Sequence, residues 1–203
     1  MTRRVVLLLA ALPATAAAEP RSYTLDPEAS VVRIDVGRSG LFAFAGHRHE
    51  VVAPRFRGTV RADPADLSAS SVEVVFESAA LRVTGRGEPP AEVPKVQEAM
   101  TGPKVLDVAR FPEIAFRSQR VGGRATGPGV YELALAGELT LHGVTRPFTV
   151  PLRVELKEDE LVASGQVTLR QKDFGIQPLS VGGVVNVKNE LGVDFRLVGR
   201  RAQ

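Results

Sequence analysis

Between residues 131 and 156 the chain reads YELALAGELTLHGVTRPFTVPLRVEL, and almost all of it alternates. Tyr131, Leu133, Leu135, Gly137, Leu139 and Leu141 fall on one side; Glu132, Ala134, Ala136, Glu138 and Thr140 fall on the other. After His142-Gly143-Val144-Thr145-Arg146 the pattern resumes, with Phe148, Val150, Leu152, Val154 and Leu156 opposed to Thr149, Arg153 and Glu155. A period of two sends successive side chains to opposite faces of a strand, so each run has one apolar face to bury. Two such runs joined by a short glycine-containing link read as an antiparallel hairpin. The arms are long: about fourteen residues at ~3.3 Å each reach roughly 45 Å, whereas ordinary strands have about 5–6 residues. Strands this tall, curled around their apolar face, enclose a vessel rather than a small sandwich.

The rest of the chain repeats the pattern. Residues 22–25 and 31–36 read as two strands separated by a turn at Asp26-Pro27-Glu28. Residues 37–45 are irregular, with Phe42 and Phe44 on one side if extended. Further strands are expected at 56–61, 71–80, 113–121, 161–170 and 184–198. Residues 92–110 break the pattern: a short helix over 93–100 stopped by Gly102, then a second over 104–108 opened by Pro103. No repeat or low-complexity segment divides the chain. About eight strands, adjacent in sequence and joined by short turns, suggest an all-β antiparallel barrel with one short helical insertion at about residues 92–110; closing the sheet also removes its exposed edges.

The charge balance of +3 is misleading. Arg3 and Arg4 precede an apolar run over residues 5–12, then Pro13 and Ala14-Thr15-Ala16-Ala17-Ala18. A charged start, a short apolar middle and a small-residue exit form a secretory signal peptide, too short to span a bilayer as an anchor. The expected organisation is a signal peptide over 1–18 and one barrel domain over 19–203, with the mature protein in the periplasm. Arg3 and Arg4 account for two of the 26 positive residues, so the remainder nearly balances the 23 acids. No basic block is left to support nucleic-acid binding. With no cysteine in the sequence, disulfides, thiolate metal sites and a cysteine nucleophile are excluded.

Four stretches carry a family resemblance: Tyr23-Thr24-Leu25-Asp26-Pro27 with Ser30; LDVARFPEIAFRS from Leu106 to Ser118; GELTLHGVTR from Gly137 to Arg146; and Lys172-Asp173-Phe174-Gly175-Ile176. In this order they make the chain similar to the YceI-like family of secreted lipocalin-like proteins. The resemblance implies an extended eight-stranded antiparallel lipocalin-like barrel and a binding role rather than an enzymatic one. It also implies a polyisoprenoid chain, such as an isoprenoid quinone or polyprenyl lipid, in the lumen.

On that reading the lumen is lined by Val36, Phe42, Phe44, Val74, Phe76, Phe116, Leu133, Leu135, Leu139, Val167, Leu169 and Phe195. Gly137 and Gly165, on apolar faces, are expected either to leave room for the ligand or to permit sharp coiling of the strands. Apolar ligands favour such linings, and each buried CH₂ contributes about 0.8 kcal/mol. On the same resemblance no cofactor and no catalytic residue are expected, and Ser/His/Asp catalysis has no supporting motif, since no serine lies in a G-x-S-x-G elbow. The expected partners are the isoprenoid lipid and an inner-membrane protein, the chain being a monomer or homodimer. Two alternatives stand beside this. His47 and His49 would project to the same side of a strand and make a pair of metal ligands, with Glu50 or His142 completing the set. Alternatively, a packed barrel without ligand would serve a structural or interaction role.

Overall fold

The computed structural model describes residues 19–39, 49–86, 89–181 and 185–202. Residues 1–18, for which a signal peptide is expected, and Phe42, Phe44 and His47 lie outside the described residues.

In chain order the strands are β1 (Arg21–Ser39), β2 (His49–Val52), β3 (Phe56–Ala62), β4 (Ser71–Glu77), β5 (Arg82–Val83), β6 (Glu113–Gly127), β7 (Val130–Leu141), β8 (Val144–Leu156), β9 (Glu160–Arg170), β10 (Ser180–Val181) and β11 (Val185–Arg201), with helix α1 (Val93–Thr101) between β5 and β6. Eight of them close a barrel in which every neighbouring pair is antiparallel. The order is β1, β3, β4, β6, β7, β8, β9 and β11, and β11 returns to β1. The short strands β2, β5 and β10 extend the sheet near one end. Call the end holding Arg21, Ala62 and Arg201 the first, and the end holding His49, Leu141 and Arg170 the second.

The alternation works as the physics requires. Leu135, Leu139 and Leu141 of β7 are buried, while Glu132, Ala134 and Glu138, of the opposite phase, are exposed. The inward rows of all eight strands meet in one apolar core that runs the height of the barrel.

Three local expectations differ. Residues 22–25 and 31–36 form one strand, β1, interrupted by an outward bulge: Asp26 pairs with Val198 but Val31 pairs with Arg196. Asp26 Oδ1 accepts the Glu28 and Ala29 N–H groups at 3.0 and 3.3 Å, and the Ser30 hydroxyl donates to the Asp26 carbonyl at 2.6 Å. Ser30 Oγ then accepts the Val198 N–H at 2.9 Å, so the ladder is bridged by a side chain. Pro27, lacking a ladder donor, sits where none is needed. Second, the β7–β8 link is two residues, not five. Val144 already pairs with Leu141, and His142 and Gly143 both take positive φ, at 52° and 72°, the pattern of a type I′ turn.

Third, residues 104–108 are not a helix. Gly102 adopts ψ 173° and stops α1. The chain then folds back on the helix end, with Leu106 N–H donating to Met100 and Val108 N–H to Thr101, and Asp107 takes φ 44°, outside the helical region. The turn inserts Leu106, 9% exposed, into the core. α1 itself is held by Gln97, whose Nε2 donates to the Leu81 carbonyl and whose Oε1 accepts the Val83 N–H, each at 2.9 Å.

Candidate functional site: an apolar lumen

The barrel is not filled. A cavity of about 560 Å³ follows its interior, within the roughly 300–1,000 Å³ of small-molecule sites. Side chains from all eight barrel strands border it. β1 contributes Val32, Ile34 and Val36, and β4 contributes Val72, Val74 and Phe76. β6 contributes Ile114 and Phe116, then Val121. That change of phase follows from the bulge that separates the Ser118–Gly137 pair from the Arg120–Ala136 pair. β7 and β8 supply Leu133, Leu135, Leu139, Val150 and Leu152; β9 and β11 supply Val167, Leu169, Val193 and Phe195. Of the twelve lining residues named from the sequence, ten border the lumen; Phe42 and Phe44 fall outside the described residues.

Each end has a different character. At the first end the lumen reaches Arg61, Asp63, Pro64, Leu67 and Ser70. Here the β3–β4 connection is tied down by its own polar groups. Asp63 Oδ1 accepts the Ala65 and Asp66 N–H groups, and Ser70 Oγ accepts the Asp63 N–H at 2.9 Å. At the second end it reaches His49, Gln171, Ile176, Leu179 and Val187, while Val96 and Met100 of α1 cover part of its side. Gln171, His49 and the α1 residues were not singled out as lining from the sequence. Gln171 and Ile176 follow β9 in an irregular turn, where alternation stops being a guide.

Gly137 and Gly165 do not leave room for a ligand, and neither borders the lumen. A Cβ on Gly165 would stand 2.5 Å from the Pro151 carbonyl oxygen and 2.7 Å from the Phe195 ring. A Cβ on Gly137 would overlap the Arg117 backbone. Their missing side chains let strands and rings approach, which is the packing use of glycine in a sheet.

Three of the family-like stretches converge at the second end in a clasp. The His142 ring packs edge-on against Phe111, centroids 4.6 Å apart, and its Nδ1 lies 3.3 Å from the Phe174 carbonyl oxygen. That oxygen only accepts, so the bond places a proton on Nδ1. Arg146 Nε donates to the Asp173 carbonyl at 3.1 Å, and Phe174 is 2% exposed. It is thus the Asp173 backbone that the neighbouring strand uses. His142 is thereby engaged in the clasp. Among the described residues no three His, Asp or Glu side chains gather as metal ligands.

Charge is kept outside. Arg57 of β3 pairs with Glu113 of β6 at 2.7 Å, reaching across β4, and Arg117 of β6 pairs with Glu73 of neighbouring β4 at 2.8 Å. These hydrogen bonds raise both guanidinium pKa values further above their ordinary range. Exposed pairs of this kind add little stability, but they give the outer face its polar half of the alternation.

The same architecture occurs in solved structures. The chain is similar to BcnA of Burkholderia cenocepacia, with a TM-score of 0.65, 19% identity, and coverage of 86% of this chain and 98% of that one. A polyisoprenoid binding domain from Saccharophagus degradans gives 0.63 and 13% identity over 90% and 99%. The YceI protein of Campylobacter jejuni gives 0.56 and 11% over 75% and 84%. Among sequences, a UPF0312 protein of Vibrio cholerae is 24% identical over 147 residues, covering 66% of this chain and 68% of its own. The YceI-like domain model matches residues 23–198, a span that draws on every strand bordering the lumen, and by that match the chain belongs to the YceI-like family.

Proposed function

We propose that this protein is a binding protein, not an enzyme, and that its barrel encloses one long isoprenoid-type chain such as an isoprenoid quinone or polyprenyl lipid. The observation that carries the reading is the lumen: about 560 Å³, apolar almost throughout, and reaching from the β3–β4 connection at one end to the turn after β9 at the other. A slender hydrocarbon fits such a space, with about 0.8 kcal/mol gained for each buried CH₂. The polyisoprenoid binding domain of Saccharophagus degradans shares the fold, which supports the choice of ligand class. A ligand-free structural role would call for a filled barrel, and the lumen argues against it. The leader-like segment at 1–18 supports a periplasmic location, where an inner-membrane protein would deliver or receive the lipid.

The test is an organic extract of protein purified from its native host, analysed by mass spectrometry, with N-terminal sequencing of the same sample. The expected result is one isoprenoid species and a mature chain beginning near Glu19. An extract without lipid, together with no binding of a fluorescent polyisoprenoid analogue at micromolar concentration (about −8 kcal/mol), would end the carrier reading.

A further inference from the structure

The lumen wall is hydrocarbon almost everywhere, and Gln171 interrupts it. This residue opens the turn Gln171–Phe174 directly after β9, is 5% exposed, and borders the lumen near Leu169 and Ile176. Its amide orientation is fixed by chemistry. One terminal atom lies 2.7 Å from the Lys188 carbonyl oxygen, which only accepts, so that atom is Nε2. The second Nε2 hydrogen and the Oε1 acceptor have no partner among the described residues. Polar capacity left unmet in an apolar surrounding is unfavourable, and native proteins seldom leave it so without a reason.

Other polar groups on the lumen differ. Asp63 and Ser70 are already engaged in their own loop. Arg61, at the first end, and Lys95, on α1, are exposed to solvent. The buried Ser78 and Asp107 do not border the cavity. Register places His49 near Gln171 in height. His49 pairs with Val36, Val36 with Leu191, and Leu191 with Leu169, two residues before Gln171. Gln171 and His49 therefore share one height at the second end of the lumen.

Resting on the binding reading above, we propose that Gln171 recognises the ligand's head group, and that this head is neutral and hydrogen-bonding, a hydroxyl or ring carbonyl, rather than a phosphate. A hydroxyl can accept from the spare Nε2 hydrogen and donate to Oε1; a carbonyl satisfies the first. A phosphate would bring charge to a carboxamide oxygen, and the lumen cations among the described residues are both solvent-exposed. Desolvating an unpaired charge costs more than one hydrogen bond returns.

The test uses the mature protein and three probes that share one chain: geranylgeraniol, geranylgeranyl diphosphate and the matching hydrocarbon without the hydroxyl. Binding is read by displacement of a fluorescent polyisoprenoid analogue. The wild-type protein is expected to prefer the alcohol over the hydrocarbon by about five- to tenfold, with no gain for the diphosphate, and Gln171→Leu to erase that preference. Because this change also strips Lys188 of its donor, a second measurement needs no variant. The assigned Gln171 side-chain amide resonances of the wild type should shift with the alcohol and not with the hydrocarbon. A preference that survives Gln171→Leu, an amide signal indifferent to the hydroxyl, or tightest binding by the diphosphate overturns the proposal. If all three probes bind alike, only the head-group assignment falls; if none binds, the carrier reading falls with it.

Discussion

Gly137 of β7 lies against the backbone of Arg117 in β6 with no room for a side chain between them: an added Cβ would overlap the Arg117 carbonyl oxygen and stand 2.8 Å from Ser118 Cα. The approach occurs beside the bulge in β6, where Ser118 pairs with Gly137 but Arg120 already pairs with Ala136. Ser118 also holds the neighbouring strand, its Oγ accepting the Val72 N–H at 2.8 Å. One glycine thus sits where three strands are pinned together. Gly137→Ala is expected to cost about 2–4 kcal/mol, in the range of overpacked and strained sites, and Gly137→Leu to prevent folding. Gly122, in the same sheet, is the control: an added Cβ meets nothing within 4 Å, so Gly122→Ala should stay within about 0.5 kcal/mol. Urea unfolding with the same midpoint for both alanine variants would contradict this account.

The clasp at the second end makes a different demand. Gly143 has φ 72°, and an added Cβ would press into the Phe111 ring, with Cδ1 at 2.9 Å. Gly143→Ala therefore meets both a disfavoured backbone region and an occupied space, and a loss of about 1–3 kcal/mol is expected. Phe111→Ala removes the obstruction but leaves the backbone strain. In a Phe111→Ala background the further cost of Gly143→Ala should shrink but not vanish. Equal cost in both backgrounds, measured as a double-mutant cycle, would show that the ring plays no part.

How much of this was legible from sequence follows from what period two can report. Leu133, Leu135, Val167 and Phe195 could be placed on a lumen because alternation survives wherever a strand is regular. It fails at bulges. Nothing in the apolar pattern shows that 26–30 is an excursion within β1 rather than the turn between two strands. The bulge after Ser118, which returns Val121 to the inside, is equally hidden, because an inserted residue leaves no compositional mark. Glycine is ambiguous in the same way: Gly137 and Gly165 read as gaps, and only the register shows a carbonyl oxygen or a phenyl ring already close to each. Gln171 sits in a turn beyond the end of β9, where period two says nothing.

At the first end, the Asp66 carboxyl is held below the usual carboxylate range. The main cause is the Ser68 hydroxyl, which donates to Oδ1 at 2.6 Å; the Ser68 N–H at 3.0 Å adds to it. A lowered folded-state pKa means that the loop's stabilisation is present above the carboxylate's unfolded pKa and is lost as pH falls through the lowered value. Amide exchange over residues 66–70 should therefore quicken in acid. NMR titration should find the Asp66 pKa returning toward its ordinary value in Ser68→Ala. An unchanged titration in that variant would place the cause elsewhere.

Blocking the lumen requires positions that border it. Val167 and Val193 qualify: both border the cavity, and they pair directly across β9 and β11. Replacing both with phenylalanine adds two rings to the lumen side of the wall, and aromatic cross-strand pairs are compatible with a sheet. The barrel should fold, with an unchanged β spectrum and a thermal midpoint near that of the parent. On the carrier reading, the same variant should lose co-purifying lipid and bind a fluorescent polyisoprenoid analogue at least about tenfold more weakly, a loss of about 1.4 kcal/mol or more. Gly122→Ala, which alters only the outer wall, should retain both. If the double phenylalanine variant folds and still carries its lipid, the ligand does not occupy this lumen.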